Sequence, residues 1–298
     1  MLIEPWQLKQ RQSLPLAAKV RLSEVRIRAW YEHWKGQVYV SFSGGKDSTV
    51  LLHLVRSMYP GTPAVFVDTG LEYPEIRNFV KQTENVTWLK PKKTFRQVLE
   101  QYGYPVISKQ VSMGISRHHN TKSEAQKTLR LMGGLNPSSG KKQAPSVSKK
   151  YHYLVDAPFR CSEQCCRVLK KDPFNSYSRE TARVGISGTM AYESSVRKMN
   201  YLKNGCNAFD TKTPLSTPLS FWLEEDIWAY LKENNVPYSK IYDMGETRTG
   251  CMFCMFGVHL EEGDNRFQRM AKSHPAQYKY CIETLGCGKV LDFIGVPY

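Results

Sequence analysis

Two groups of residues in this 298-residue chain carry chemistry in their types and spacing. The first is Ser43-Gly44-Gly45-Lys46-Asp47-Ser48. Adjacent glycines let backbone N–H groups come close to phosphate oxygens. Lys46 adds a point charge for the same oxygens, and Ser43 and Ser48 supply hydroxyl donors. Asp47 suits the cap of a helix or a share in holding Mg²⁺. The spacing is not that of a Walker A loop, which needs four residues between its glycines and a Ser or Thr directly after the Lys. The second group is the cysteines. Eight is many for a chain in a reducing compartment, where clustered thiols more often bind metal or react than form disulfides. Cys165 and Cys166 are adjacent, and Cys251 and Cys254 form C-x-x-C. Four thiolates from two loops make a metal site, for zinc or for a [4Fe-4S] cluster. Adjacent side chains tend to diverge, which suits a cluster better than one tetrahedral ion, because a cluster spreads its ligand positions over several irons. Cys161 can replace one of the pair or stand as a free thiol. Cys206 is either a reactive thiol or buried packing, and Cys281 reads as core.

These residues need a frame. Helical periodicity runs over 17–35 through Val20, Leu22, Val25, Ile27, Trp30 and Trp34. Residues 37–42 are a β-rich run, the glycine loop follows, and 49–58 resume helical spacing through Val50, Leu51, Leu54 and Val55. Further strands are expected at 64–67, 86–89 and 183–187, with helices near 74–82, 94–102 and 191–201. Strands alternating with helices predict an α/β fold, a doubly wound and mostly parallel sheet covered on both faces. The glycine loop then lies where such folds bind ligands, at the carboxyl end of a strand and a helix N-terminus. Asp68, Thr69 and Glu72 follow the second strand, at the neighbouring tip, and read as adenosine or metal contacts or as a polar turn. Residues 109–150 hold nine Lys or Arg and one acid, Glu124, a balance of +8. Within them 133–148 is rich in Gly, Pro and Ser and is expected to be a mobile loop. Helices are expected at 223–234, with acids in the first turn, and at 267–285 with an interruption at Pro275. The organisation expected is an N-terminal helical segment (1–36), an α/β nucleotide-binding domain (37–222) with the basic insertion 109–150, and a helical C-terminal region (223–298) carrying the C-x-x-C.

The glycine loop in this context resembles the pyrophosphate-binding loop of the N-type ATP pyrophosphatases. That resemblance implies a Rossmann-type fold of the adenine nucleotide alpha hydrolase kind and cleavage of ATP between the α and β phosphates. It assigns Ser43, Gly44, Gly45, Lys46, Asp47 and Ser48 to the nucleotide, with Asp68 and Thr69 beside them, and Lys46 and Asp47 to catalysis. The string VDTGLEYPEI at 67–76 resembles the matching segment of the phosphoadenylyl-sulfate reductase branch. Gly188, Glu193, Ser194 and Arg197 resemble the family's G-x-x-x-x-E-S-x-x-R segment, in which Arg and Ser meet a substrate phosphate or sulfate; Arg197 is otherwise one half of an ordinary Glu–Arg pair. Paired cysteines followed by C-x-x-C resemble the cluster-bearing adenylyl-sulfate reductases and imply a [4Fe-4S] cluster on Cys165, Cys166, Cys251 and Cys254. Arg160, Lys170, Lys171 and Arg248 flank the cysteines and are expected to offset cluster charge or to bind an anionic substrate.

Two functions compete within this resemblance. The reductases form a sulfite adduct on a cysteine in Glu-Cys-Gly-[Ile/Leu]-His; the nearest match here, Leu285-Gly286-Cys287-Gly288-Lys289, lacks the Glu and the His and leads into an apolar tail. The glycine loop, by contrast, is intact and suits ATP itself. Lys plus Arg number 42 against 27 acids, a net charge of +15 that points to a polyanionic partner. The expected activity is adenylation of a nucleic-acid oxygen followed by sulfur transfer, as in DNA phosphorothioation or tRNA thiolation. The alternative is adenylyl-sulfate reduction to sulfite. A third reading, a nucleic-acid-binding module with a structural metal, leaves the intact loop without a use. Partners expected are DNA or tRNA, a sulfur donor such as a cysteine desulfurase, an electron donor and a second copy of the chain. The start, with acid and amide groups where a signal peptide needs an apolar core, predicts a cytoplasmic chain without a membrane span.

Overall fold

The computed structural model describes residues 3–136 and 138–298. Met1 and Leu2 of the polar start, and Pro137 of the expected loop, lie outside the described residues. The chain divides into two compact units that interleave in sequence. The first takes Met1–Asp68, Tyr73–Lys90 and Pro173–Thr249, and the second Thr69–Glu72, Pro91–Asp172 and Gly250–Tyr298. In chain order the strands are β1 (Val38–Ser41), β2 (Ala64–Val67), β3 (Val86–Leu89), β4 (Val106–Ile107), β5 (Gly134–Leu135), β6 (Lys142–Gln143), β7 (Val184–Ser187), β8 (Asn207–Ala208), β9 (Leu215–Ser216) and β10 (Met255–Phe256).

The first unit holds a six-stranded sheet in the order β3-β2-β1-β7-β9-β8. Every pairing is parallel except that of β8 with β9. Strands buried on both faces read as continuous apolar runs, and β2 is buried at every residue. Tyr39, Val65 and Tyr177 pack together with Leu89 and Phe174 at the side. The helix Lys46–Met58 buries Val50, Leu51, Leu54 and Val55, the positions its periodicity singles out. It begins three residues earlier than expected, because Gly45 is its extended N-cap and its carbonyl accepts from the Ser48 and Thr49 hydroxyls at 2.9 and 3.0 Å. Half of the glycine loop is thus the first turn of a helix.

A buried ion pair joins two helices of this unit. Lys19 of Leu16–His33 and Asp226 of Glu224–Glu233 meet at 2.6 Å, with side chains 2% and 9% exposed. Asp226 also accepts the Leu223 N–H at 2.6 Å. Removing one partner strands a buried charge, so Asp226→Ala is expected to cost about 3–5 kcal/mol in denaturant unfolding. The double variant Lys19→Met with Asp226→Leu should recover more than half of that loss. No recovery would mean that the loss comes from packing or capping rather than from the stranded ammonium.

The second unit pairs β4 with β10 in parallel and β5 with β6 antiparallel. Its basic segment is not a loop with charges on it. The helices Lys109–Asn120 and Glu124–Met132 precede the β5–β6 hairpin. Within 133–148, expected as a mobile loop, Gly134–Leu135 and Lys142–Gln143 pair, and Val147 after them is fully buried. Gly114 makes room for it, since a Cβ there would lie 2.4 Å from Val147 Cγ2. The C-terminal part is helical, with Arg266–Ser273 and Pro275–Lys279 separated as Pro275 predicts, and then Cys287–Phe293. No helix among the described residues is long and apolar enough to cross a membrane.

Candidate functional site

In the first unit the chain leaves β1 through buried Phe42 and enters the glycine loop. Gly44 has φ +73°, and a Cβ there would press on Val80 and Ile76 at 2.7 and 2.9 Å, so both backbone and space call for glycine. A Cβ at Gly45 would meet the Thr249 hydroxyl at 2.7 Å. The Ser43 and Ser48 hydroxyls lie 3.0 Å apart and brace the turn. Lys46 is only 5% exposed. Its N–H donates to Tyr242 Oη at 2.8 Å and its ammonium to the Thr247 carbonyl at 3.0 Å. Glu224 stands 3.1 Å from that ammonium, with the Tyr242 and Trp228 rings at 5.3 and 5.9 Å from it. None of these partners was legible locally, since all come from about 180–200 positions downstream.

Asp47 completes the loop's electrostatics. Its Oδ1 is buried and has no hydrogen-bond partner. Burial pushes the carboxyl up to about 6; Lys46 opposes the rise, while Glu193 and Glu224 add to it. A buried carboxylate oxygen without a hydrogen bond, 4.0 Å from the Lys46 ammonium and beside a glycine loop, has the chemistry to accept a divalent cation. The folded group titrates above its unfolded value, so the ionised form is the one that folding disfavours. That cost is absent below about pH 4, where both states are protonated, and is complete above about pH 6. Asp47→Asn should therefore raise stability at pH 7.5 by roughly 2 kcal/mol and leave it unchanged at pH 4, read by thermal unfolding of both proteins. Equal unfolding temperatures at both pH values would contradict the buried-carboxylate account.

Gly188 packs on this loop, where a Cβ would lie 2.9 Å from the Asp47 carbonyl. Arg197 is ion-paired to Glu193, and Glu193 in turn accepts the Met190 N–H at 2.8 Å. Arg197 thus sits in the ordinary Glu–Arg pair, with its charge still felt by Asp47. The carboxylate of Asp68 accepts from Arg77 at 2.8 Å. Thr69 belongs to the second unit and bonds Glu72 through its N–H at 3.0 Å and its hydroxyl at 2.8 Å.

The second unit contains Cys165, Cys166, Cys251 and Cys254. Cys165 and Cys166 lie in one helical turn with sulfurs 4.0 Å apart. Cys251 and Cys254 close a turn through Cys254 N–H to Cys251 O at 3.1 Å. Between them Met252 and Phe253 are buried, and Phe253 packs near Phe95 and Tyr280. The β4–β10 pairing holds the chain immediately after Cys254.

The four thiols influence one another. Cys165 is pushed up by its bond to Cys166, by burial and by the other thiols, whereas Cys166 is pulled down by that same bond, with Lys109 and Lys170 assisting. Burial raises Cys251 and Cys254, opposed by Lys170 at the former and by Arg266 at the latter. Of the four flanking cations expected, only Lys170 appears in these couplings. Arg160 instead donates to the Glu100 carbonyl, and Arg248 lies in the first unit. Lys109 and Arg266 carried no local signal. No group of three His, Cys, Asp or Glu side chains among the described residues converges on a position for one metal ion. Four soft donors, one of them readily ionised and with cations adjacent, fit thiolate ligation of an iron–sulfur cluster, which does not require convergence on one point. The remaining cysteines are buried, and Cys161 and Cys206 are pushed up to about 12 by burial. Cys287 is fully buried at the head of its helix, and the tail after it packs through Val290, Leu291 and Val296.

Residues 37–113 and 118–256 match the family described as the phosphoadenosine phosphosulfate reductase domain. An uncharacterised protein of Methanocaldococcus jannaschii is 26% identical over 95% of this chain and 56% of its own length. The chain thus spans about half of that relative, and 38% of a second from the same organism. An adenosine 5'-phosphosulfate reductase of Staphylococcus epidermidis is 23% identical over 83% of this chain and 82% of its own. Among solved structures, a U34-tRNA thiolase of Methanococcus maripaludis with its [4Fe-4S] cluster is 15% identical, with TM-score 0.41, over 91% of this chain and 79% of its own. That last likeness is too distant to carry chemistry across.

Proposed function

The chain belongs to the phosphoadenosine phosphosulfate reductase domain family, and on that premise we propose that it is an AMP-forming ATP pyrophosphatase that adenylates an oxygen of a nucleic acid and exchanges it for sulfur. The observation that carries this reading is the intact glycine loop with Lys46 buried at its centre. Backbone N–H groups and Lys46 bind the β and γ phosphates, and Asp47, whose buried oxygen has no hydrogen bond, would hold Mg²⁺. The acceptor oxygen attacks the α-phosphorus, the α–β bridging P–O bond breaks, and pyrophosphate leaves with the electron pair, stabilised by Lys46 and the loop. The acceptor oxygen is later lost with AMP as a sulfide equivalent takes its place. A persulfide donor such as a cysteine desulfurase would need two electrons from a reductant to deliver sulfur at that level. Cys165, Cys166, Cys251 and Cys254 would hold a [4Fe-4S] group, which supplies sulfur-binding or electron-transfer chemistry when bound. Lys109, Lys170 and Arg266 offset the charge of those thiolates. The net charge of +15 supports a polyanionic acceptor.

A second reading, reduction of an adenylyl sulfate to sulfite, has the S. epidermidis likeness in its favour. Burial of Cys287 and the missing Glu and His around it weigh against that chemistry. The two separate in one assay of the anaerobic, iron-loaded chain. With ATP, a reductant, a sulfide source and tRNA or DNA, the nucleic acid digested to nucleosides or dinucleotides should contain sulfur in place of oxygen. Sulfite formed from adenylyl sulfate, with no thio-substituted product, would replace the proposal with the second reading.

A further inference from the structure

Two hollows adjoin on the helix Phe95–Tyr102 of the second unit. The larger, about 600 Å³, is lined in part by Arg96, Tyr104, His119, Phe159 and Arg160. That volume lies within the roughly 300–1,000 Å³ usual for small-ligand sites. The smaller, about 520 Å³, is lined by Lys92 and Lys93, and Glu100 borders both. Their walls contain no residue of the glycine loop and none of the four paired cysteines.

The larger hollow is built. Tyr104 N–H donates to Arg160 O at 2.7 Å, and Ser162 N–H to Tyr104 O at 2.9 Å. Gly103 allows that approach: at φ +103° it has no Cβ, and one there would lie 2.2 Å from the Arg160 carbonyl. Tyr104 Oη donates to Leu285 O at 2.8 Å and ties in another wall. Phe159 meets Tyr104 and Phe293 edge to face, at 5.8 and 5.3 Å.

Charge and aromatic faces coincide here. Four cations, Lys92, Lys93, Arg96 and Arg160, share this surface with one lining carboxylate, Glu100. Glu100 accepts from Arg96 at 2.9 Å, but both side chains are more than half exposed, and such a pair yields readily to a phosphate. Arg160 donates to a neutral carbonyl, which does not cancel its charge. Cations that track a backbone, beside aromatic and guanidinium faces that take a base, are how proteins hold unpaired nucleic acid.

We propose that this face binds a single-stranded nucleic-acid segment, with one base in the larger hollow and the adjoining phosphates on Lys92, Lys93 and Arg96. The inference rests on nucleic acid being the acceptor and names where the strand is held. The test is fluorescence anisotropy of the full, iron-loaded chain with a labelled single strand of about fifteen nucleotides, a length that fills such sites. The duplex of the same sequence and free AMP serve as competitors. The double variant Lys93→Glu with Arg96→Glu should weaken strand binding at least tenfold and lower the salt slope by about one to two. Arg160→Ala should weaken it severalfold. Lys141→Glu with Lys142→Glu, on the basic hairpin, should change it less than threefold. Unchanged iron content and circular dichroism exclude misfolding of each variant. Undiminished binding by the Lys93/Arg96 variant, or loss confined to the hairpin variant, would overturn the placement and leave the nucleic-acid reading standing. Preference for AMP over the strand would make the hollow a free-nucleotide site and overturn the proposal. A wild-type chain that binds no strand would remove the nucleic-acid reading itself.

Discussion

Lys46→Ala is expected to lower pyrophosphate release from ATP by at least about 100-fold, the scale on which one preorganised charge at a departing oxyanion acts. The reason lies in how the residue is held. Its ammonium is buried against Tyr242 and Trp228, donates to Thr247 O at 3.0 Å, and stands 3.1 Å from Glu224 and 4.0 Å from Asp47. Burial weakens solvent screening of that charge, and triphosphate oxygens arriving at the loop have only to draw it from Glu224, whose side chain is 46% exposed. The variant should keep its iron and most of its stability, because Glu224 is nearly half exposed and regains water when its partner goes. Lys46→Arg should recover little, since a planar guanidinium does not fit a site shaped round an ammonium only 5% exposed. Steady-state pyrophosphate release with iron determined on the same sample checks both statements. Release within threefold of wild type would mean that Lys46 is a structural cation.

Cys251→Ala or Cys254→Ala is expected to do the reverse. Either variant takes one thiolate from four, and iron should fall from about four per chain to less than one, with loss of the broad absorbance near ~400 nm. Pyrophosphate release without acceptor should stay within about threefold of wild type, because the glycine loop belongs to the other compact unit. Cys206→Ala is the control. That thiol is buried in the first unit and should change neither quantity. Full iron in the Cys251 or Cys254 variants, or zinc in place of iron in the wild type, would remove these residues as cluster ligands.

Much of this could be read along the chain, for a physical reason. β2 and β3 and the helix Pro74–Gln82 fall on their expected residues: β2 is an apolar run buried at every position, β3 is a partly buried edge run rich in β-branched and aromatic residues, and the helix has a period. The glycine loop and the cysteine pairs were visible because each function sits within a few consecutive positions. What escaped were features without a local signature. β8 and β9 are two residues each, too short for any period. Val147 anchors a stretch whose Gly, Pro and Ser content reads as loop, and its packing partner Gly114 lies on a helix about thirty positions upstream. Tyr242, Thr247 and Glu224 reach Lys46 from far along the chain, as Lys109 and Arg266 reach the thiols. The family resemblance puts Arg197 and Asp68 in the site, and the structure adds the partners, Glu193 and Arg77, that a substrate would have to share or displace.

The proposed chemistry begins with the splitting of ATP between its α and β phosphates. The most direct measurement follows all phosphorus products from ATP on one anaerobic, iron-quantified preparation, with Mg²⁺ and with tRNA or DNA added in turn. Pyrophosphate is expected in an amount equal to AMP, free plus bound to the nucleic acid, stimulated by one of the nucleic acids and abolished by Lys46→Ala. Orthophosphate with ADP, or no turnover of ATP with either nucleic acid, would contradict it.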